Sequence, residues 1–165
     1  MSKDDLIDSL ISEWQQERPR LDSSAMEIVG RILKLSKILE KSASKALSTY
    51  GIHYTDLDVL ATIKRSGTPY ELTPSQLIKS VLITSGAMTA LLNRLTKLEL
   101  IYRSQDSKDG RIKLVGLTPK GSKLIDKAIE TRFNEAKDSI SVLNKKENTE
   151  LSALLKKLLI SMDSE

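Results

Sequence analysis

The stretch from residue 84 to residue 121 constrains the fold most, because its apolar pattern changes period partway along. After Leu100, apolar and polar residues alternate in two short runs, 101–104 and 111–115, around a polar tip. A period of 3.6 followed by a period of two predicts a helix and then an antiparallel hairpin with an exposed, charged tip. The residues that set the helical period are Met88, Leu91, Leu92, Leu95 and Leu98.

A shorter helix is predicted just before this one, over residues 74–81. Thr73 is placed as its N-cap and Pro74 at its first position, which is a common helix start. Residues 82–83 join the two helices, so the parts follow the order of a helix-turn-helix whose second helix can enter a major groove. The hairpin adds a wing. An ordinary surface helix would show the same polar outer face, and it is the order of the parts that favours DNA binding.

The outward face of the second helix carries candidate DNA contacts. Thr84 is placed as its N-cap. Hydroxyl and amide side chains can hydrogen-bond base edges or phosphates, and an Arg side chain can do either. The candidates on this helix are Ser85, Thr89, Asn93 and Arg94.

The wing segment reads DGRIKLVGLTPKG, with Asp109, Arg111, the pair Leu117-Thr118, and Gly121. With this motif and with the helices that surround it, the chain resembles the MarR family of bacterial transcription regulators. The resemblance implies a homodimer that binds double-stranded operator DNA and represses by occupying a promoter. It also implies that Arg111 enters a minor groove, held by Asp109 across the turn. The hairpin residues Arg103 and Lys113 complete the set of candidate DNA contacts.

The positive charge of the chain is concentrated in this lobe. The net charge is +4, but residues 55–121 hold ten Lys or Arg and six Asp or Glu, whereas the remainder holds 16 of each. A positive lobe favours a polyanionic partner such as DNA. With no Cys and one His, the composition excludes disulfides and thiol redox sensing, and it argues against the usual cluster of zinc ligands. Neither a metal nor a cofactor is expected.

The chain divides by its patterns into four predicted parts. Residues 1–23 form a helical arm, and residues 24–54 form a long helix that serves dimerisation. Residues 55–121 form the winged helix-turn-helix lobe, and residues 122–165 form two C-terminal dimerisation helices. The apolar stripes at the two chain ends exceed what the lobe can bury, so we expect a homodimer with a dimerisation layer built from both ends.

Single residues in these parts have open interpretations. Trp14 either anchors the arm to the body or forms the wall of a ligand pocket. Arg31 on the long helix faces either solvent or phosphate, and Gly51 offers a left-handed C-cap. Thr55 is expected to cap the next helix, with His53 as a loop residue before it.

A second resemblance concerns an effector. The arm that ends in Trp14 resembles the urate-responsive subgroup of the family, whose pocket pairs such a Trp with an Asp at the position of Asp58. Asp58 has another interpretation, because a carboxylate in the first turn of a helix favours its positive end. The subgroup also uses an Arg where this chain has Leu91. Because burying an anion without a cation is costly, we expect a flat aromatic or phenolic ligand, and weak or no urate binding. The expected pocket lies between the long helix and the DNA lobe.

The predicted fold is mainly α with a small β-wing, a winged helix-turn-helix that is dimeric. The predicted function is a sequence-specific DNA-binding regulator with a pseudo-palindromic operator, and the alternative is a winged-helix protein-interaction module. An enzyme is not expected, because the chain has no G-x-S-x-G, P-loop or G-x-G-x-x-G motif. With no 18-residue apolar run and no basic-then-apolar leader, we expect a cytoplasmic protein without membrane contact.

Overall fold

The computed structural model describes residues 4–81, 85–107 and 109–163. Within them the chain is mainly helical with one small antiparallel sheet, which confirms the predicted architecture. The chain divides into two compact units, Met1–Ser42 and Ala43–Glu165. In chain order the elements are α1 (Leu6–Glu17), α2 (Ser24–Leu47), a 3₁₀ turn (Ser48–Tyr50), α3 (Tyr54–Arg65), β1 (Glu71–Leu72), α4 (Pro74–Ser80), α5 (Ser85–Lys97), β2 (Ile101–Gln105), β3 (Lys113–Leu117), α6 (Pro119–Ser139) and α7 (Lys145–Met162).

In the first unit, α1 is fastened to α2 by ion pairs and by close packing. The carboxylate of Asp5 caps α1 and accepts the N–H of Ile7 at 2.7 Å. Arg31 of α2 donates to Asp5 at 2.9 Å and also to Asp8, and its bond to Asp5 lowers the pKa of that carboxyl. The Ile7 side chain lies against Gly30, where a larger residue would displace it. Arg31 is therefore paired within this unit and is not free for phosphate.

Helix α2 ends earlier than the sequence pattern suggests. It stops at Leu47, the 3₁₀ turn follows, and Gly51 takes the left-handed conformation with φ of 66°. Gly51 is thus the C-cap of the 3₁₀ turn, since only Gly adopts this conformation without strain. Much of the apolar stripe of α2 is exposed, at Ile28, Val29, Ile32, Leu33, Leu35, Ile38 and Leu39.

The core of the second unit is built around α3. Leu60 and Ile63 on this helix are fully buried, and they belong to one cluster with Leu77, Leu95 and Ile125 from three other helices. Burying a side chain of this size contributes roughly 1.5–3 kcal/mol, so the cluster fixes the arrangement of α3, α4, α5 and α6. The exposed residues of these four helices are therefore held in place by a well-packed core.

The start of α3 differs from the prediction. The helix begins at Tyr54, so the loop residue His53 is its N-cap, and Thr55 lies inside the first turn instead of capping the helix. Asp56 is the acidic residue of that turn, and its carboxylate accepts the backbone N–H of His53 at 2.8 Å. Asp58 lies beyond the first turn, so the interpretation of Asp58 as a residue that favours the helix end is wrong.

The sheet has the strand order β1-β3-β2, with both pairs antiparallel. The edge strand β1, Glu71–Leu72, pairs with Gly116 and Val115 of β3. Strand β3 begins two residues later than predicted, at Lys113, because Asp106 and Ile112 close the tip with a backbone hydrogen bond of 2.9 Å. The wing is therefore a two-stranded hairpin supported by a short third strand.

The last two helices differ in burial. Gly121, Ile125 and Ala128 of α6 are buried, whereas α7 has no buried residue. Helix α6 ends at Ser139. None of the described helices is long and apolar enough to cross a membrane. The large apolar residues that α7 leaves exposed are Leu151, Leu154, Leu155, Leu158, Leu159, Ile160 and Met162.

Candidate nucleic-acid interface

Helix α5 presents a polar face to solvent because its apolar face is used by the core. Met88, Leu92 and Leu95 are buried, while Thr89 and Asn93 are exposed on the outer side. The predicted N-cap Thr84, the connection 82–83 and the side chain of Ser85 lie outside the described residues. The outward pair Thr89 and Asn93 is thus placed as the helical pattern predicts.

Helix α4, which precedes α5, has a complete N-terminal cap. The backbone N–H of Gln76 donates to the Thr73 hydroxyl at 3.2 Å, and the backbone N–H of Thr73 donates to the Gln76 side chain at 2.8 Å. Pro74 occupies the first helical position, as predicted. This reciprocal cap satisfies two helix-end donors and fixes where the helix begins.

The C-terminal end of α5 is held by the start of α6. Thr118 donates its hydroxyl to the Glu99 carbonyl at 2.7 Å, and the Lys120 ammonium donates to the Leu98 carbonyl at 2.9 Å. Gly121 lies so close to the Leu100 carbonyl oxygen that a Cβ would overlap it. These contacts give a physical reason for the Thr and the Gly of the wing motif. The sequence identified the motif, but it did not show that these residues contact the C-terminal end of α5.

Arg94 does not point outward like its neighbours. Its guanidinium forms an ion pair with Asp56, whose side chain is fully buried. The same carboxylate accepts the N–H of His53, so Asp56 joins the beginning of α3 to α5. Leaving the buried carboxylate without its cation would destabilise the fold, so Arg94 stays paired with Asp56. We therefore remove Arg94 from the set of candidate base contacts.

The wing tip holds one Arg in a fixed but accessible position. Asp109 accepts the Nε and Nη2 groups of Arg111 at 3.0 Å each, and it also accepts the backbone N–H of Arg111. The Arg111 side chain is nevertheless 92% exposed. Its bonds hold the pKa of the Asp109 carboxyl below its ordinary value. A two-pronged pair of this kind orients the guanidinium while leaving its outer edge free.

A cleft of about 610 Å³ lies between α5 and the wing. Arg103 lies at its edge and donates to the Asn93 side chain at 2.8 Å, which ties the hairpin to the polar face of α5. Lys113 is exposed on the other strand. The lining is mainly apolar, with cations at the rim, and it includes Ile78, Met88, Leu92, Leu114 and Val115.

The two candidate ligand residues lie in different units. Trp14 on α1 is 53% exposed, and it is Ile7 and Ile11 that are buried on that helix. The described unit thus gives the anchoring role to the two Ile residues and not to Trp14. Asp58 on α3 is partly buried, which raises the pKa of its carboxyl despite nearby arginines. A pocket shared by Trp14 and Asp58 stays a prediction.

Two arginines near Asp58, Arg65 and Arg132, oppose the rise in the pKa of its carboxyl, but the effect of burial is larger. Arg132 is already paired with Glu135 at 2.8 Å and lies over the ring of Tyr54. Among residues 4–81, 85–107 and 109–163, no group of three or more His, Cys, Asp or Glu side chains is arranged to hold a metal ion. The two arginines have partners other than Asp58, since Arg132 pairs with Glu135 and Arg65 donates to the Thr62 hydroxyl at 2.9 Å.

Comparison with known proteins gives a consistent result. The model of the MarR family matches residues 50–112. The regulator PecS of Dickeya dadantii is 30% identical over 149 residues, which are 90% of each chain. A mutant MarR from Escherichia coli complexed with operator DNA aligns with a TM-score of 0.71 at 23% identity, covering 94% of this chain and 99% of that one. BpsR of Bordetella bronchiseptica, whose DNA binding is regulated by 6-hydroxynicotinic acid, aligns with a TM-score of 0.70 at 22% identity over 81% of this chain and 94% of its own. The two structural likenesses show the fold.

Proposed function

The chain belongs to the MarR family and is a DNA-binding transcription regulator, and we propose that it is a homodimeric repressor of a pseudo-palindromic operator, released by a small aromatic ligand. The observation that carries the proposal is the wing tip. Arg111 is oriented by Asp109 and almost fully exposed, beside a helix whose outer face is polar. An exposed, oriented guanidinium suits a narrow minor groove, where negative potential is enhanced.

The proposed contacts divide between two grooves. Thr89, Asn93 and Ser85 on α5 would face base edges in the major groove, and Arg111 would enter the adjacent minor groove. Arg103 and Lys113 on the hairpin would contact phosphates, which set orientation and affinity without reading sequence. Because Arg94 is paired with Asp56, base discrimination by α5 would depend on neutral side chains.

A homodimer is supported by the exposed apolar residues of three helices. Those of α2 and α7 form long stripes, and Phe133 on α6 is 70% exposed. Exposed apolar residues in such number on single helices are typical of a protein interface. Two-fold symmetry then requires half-sites separated by about one helical turn, roughly 34 Å.

An aromatic effector is supported by two observations of different kinds. BpsR, a protein of the same fold, is regulated by 6-hydroxynicotinic acid. In this chain the cleft between α5 and the wing combines an apolar lining with Arg103 and Lys113, which suits a flat molecule bearing an acid group. The pocket expected at Trp14 and Asp58 is the other candidate. Leu91 is buried, so the position of the subgroup's Arg supplies no cation for urate.

The experiment begins with selection of an operator from random DNA, followed by gel shifts at several salt concentrations against scrambled DNA. A regulator binds the selected site far more tightly than the scrambled one, and both affinities fall with salt. The alternative, a protein-interaction module, would show no sequence preference. Titration of the complex with hydroxylated aromatic acids, and with urate, then tests the release. Quenching of Trp14 fluorescence would place the ligand in the first unit, whereas loss of release in Arg103→Ala would place it in the cleft.

A further inference from the structure

Three residues form one row across the sheet of the wing. Glu71 of β1 pairs with Gly116 of β3, and Gly116 pairs with Tyr102 of β2. In such a row the side chains of the two outer residues can meet only if the middle residue leaves room between them. Gly116 leaves that room because it has no side chain, and a Cβ there would overlap the Tyr102 ring.

The outer residues of this row are in contact. The Tyr102 hydroxyl crosses β3 and donates to the Glu71 carboxylate at 2.8 Å. The Ser104 hydroxyl reaches the same carboxylate oxygen at 3.4 Å. The bond to Glu71 raises the pKa of the Tyr102 phenol, so the proton stays on the donor over the physiological range. The two edge strands of the sheet are thus joined by a side-chain bridge over the middle strand.

The bridge joins parts of the molecule that have different tasks. Glu71 stands two residues before Thr73, which caps α4 at the start of the helix-turn-helix. Tyr102 stands near the start of β2, the strand that leads to the wing tip. On the side of the cleft, the Arg103 guanidinium donates to the Asn93 side chain of α5. Since β1 and β3 pair over two residues only, the direction of the hairpin depends on further contacts such as this bridge.

We propose that Glu71 and Tyr102 are positioning residues that set the direction of the wing, so that Arg111 reaches the minor groove while α5 occupies the major groove. The inference rests on the proposed function, because it requires that the wing contacts DNA. Neither residue touches the DNA in this proposal. Their effect is transmitted through the hairpin, and Gly116 is required because it lets the Tyr102 ring cross the sheet.

The test compares variants that change one atom group each. Tyr102→Phe removes the hydroxyl and keeps the ring over Gly116, so it removes the bridge with little change in packing. Tyr50→Phe is the matched control, because the Tyr50 hydroxyl also makes a side-chain hydrogen bond, to Thr131 at 2.6 Å, and lies outside the wing. We expect Tyr102→Phe to weaken operator binding roughly two- to ten-fold, the range of one hydrogen bond, with an unchanged melting temperature. Tyr50→Phe should bind like the wild type.

The role of Glu71 is tested with two substitutions, one that removes the acceptor and one that keeps an acceptor oxygen. Glu71→Ala should weaken binding about as much as Tyr102→Phe. Glu71→Gln retains an oxygen that can accept the Tyr102 hydroxyl, so it should bind better than Glu71→Ala. A purely electrostatic effect of removing a negative charge beside DNA would instead strengthen binding in both Glu71 variants and would overturn the proposal.

A double-mutant cycle separates positioning from a general loss of structure. If the bridge acts by aiming Arg111, then Tyr102→Phe should have no further effect in a chain that already carries Arg111→Ala. An equal loss in both backgrounds would overturn the proposal. Full binding by Arg111→Ala alone would overturn the proposed wing contact and this inference with it. A weakened Arg111→Ala beside an unaffected Tyr102→Phe would overturn the bridge and leave the proposed function intact.

Discussion

Two arginine and aspartate pairs in the second unit differ in what surrounds the carboxylate. Asp56 is fully buried, and it holds Arg94 against the beginning of α3. Asp109 lies at the wing tip, and its partner Arg111 is 92% exposed. Both pairs join an Arg to an Asp, Arg94 through its Nη2 group and Arg111 through its Nε and Nη2 groups. The burial of the acid therefore separates an Arg that stabilises the fold from one that is available to a ligand.

The largest expected effect comes from removing the buried acid. Asp56→Ala deprives Arg94 and the His53 N–H of their partner at once, so we expect a loss of about 3 kcal/mol in the free energy of unfolding. Urea unfolding followed by circular dichroism measures this loss. Asp109→Ala is the control, because it removes the same side chain from an exposed pair and should leave the stability within about 0.5 kcal/mol. Equal stability of the two variants would contradict the comparison.

The second effect concerns DNA and not stability. Arg111→Ala removes the exposed guanidinium, so operator binding should fall by about 1–3 kcal/mol, roughly five- to 150-fold, while the melting temperature stays unchanged. Fluorescence anisotropy with labelled operator measures the affinity. Arg20→Ala, which removes another exposed Arg, serves as the control and should bind normally. If Arg111→Ala lowered the melting temperature but bound the operator normally, Arg111 would be a structural residue like Arg94.

A smaller effect is expected from the acid that orients Arg111. Asp109→Ala leaves the guanidinium in place but free to rotate, so operator binding should fall by about 0.5–1.5 kcal/mol, less than in Arg111→Ala. Because the pKa of Asp109 is lowered, the pair persists above the ordinary pKa of Asp and breaks as the pH falls through the lowered value. The contribution of this acid to wild-type operator binding should therefore not change with pH between about pH 5 and pH 8. Stronger binding by Asp109→Ala would show that repulsion of phosphate outweighs orientation.

The smallest effect concerns Asp58, whose carboxyl has a raised pKa, in contrast to the lowered pKa of Asp109. Burial raises the pKa of Asp58, so ionisation destabilises the folded state as the pH rises through the raised value. Asp58→Asn should therefore be slightly more stable than the wild type at pH 7, by less than about 1 kcal/mol. The gain should vanish at a pH below the ordinary pKa of Asp. Thermal unfolding at the two pH values tests this, and a loss of stability at pH 7 would mean that the attraction of Arg65 and Arg132 dominates.

The parts of this molecule that were predictable are those encoded within one element. The spacing of apolar residues predicted α5 and its outward pair Thr89 and Asn93, and the change to period two predicted the hairpin. The caps at Thr73 and Thr118 follow from residue types that bond within three positions. Local hydrogen bonds of this kind depend little on the rest of the chain, so they can be read directly from a sequence.

Contacts between distant residues were not predictable in the same way. Arg94 and Asp56 are 38 positions apart, and the polar face of a helix gives no sign of a buried acid elsewhere. The Tyr102 bridge to Glu71 required the register of three strands. On α1, the pattern did not show that Ile7 and Ile11 would be buried while Trp14 stays exposed. Each of these outcomes depends on tertiary packing that local propensity does not contain.

The fastening of α5 to the start of α6 has a consequence for protein engineering. The carbonyls of Leu98 and Glu99, directly after α5, accept from Lys120 and Thr118, and Gly121 provides the space in which the two segments meet. A chimera that exchanges DNA specificity between related regulators must therefore carry its C-terminal junction beyond Gly121, even though the wing itself ends at Leu117. A junction placed directly after the wing would separate α5 from the Thr118 and Lys120 groups that bond to its C-terminal end. The end of α5 would then fray in the chimera.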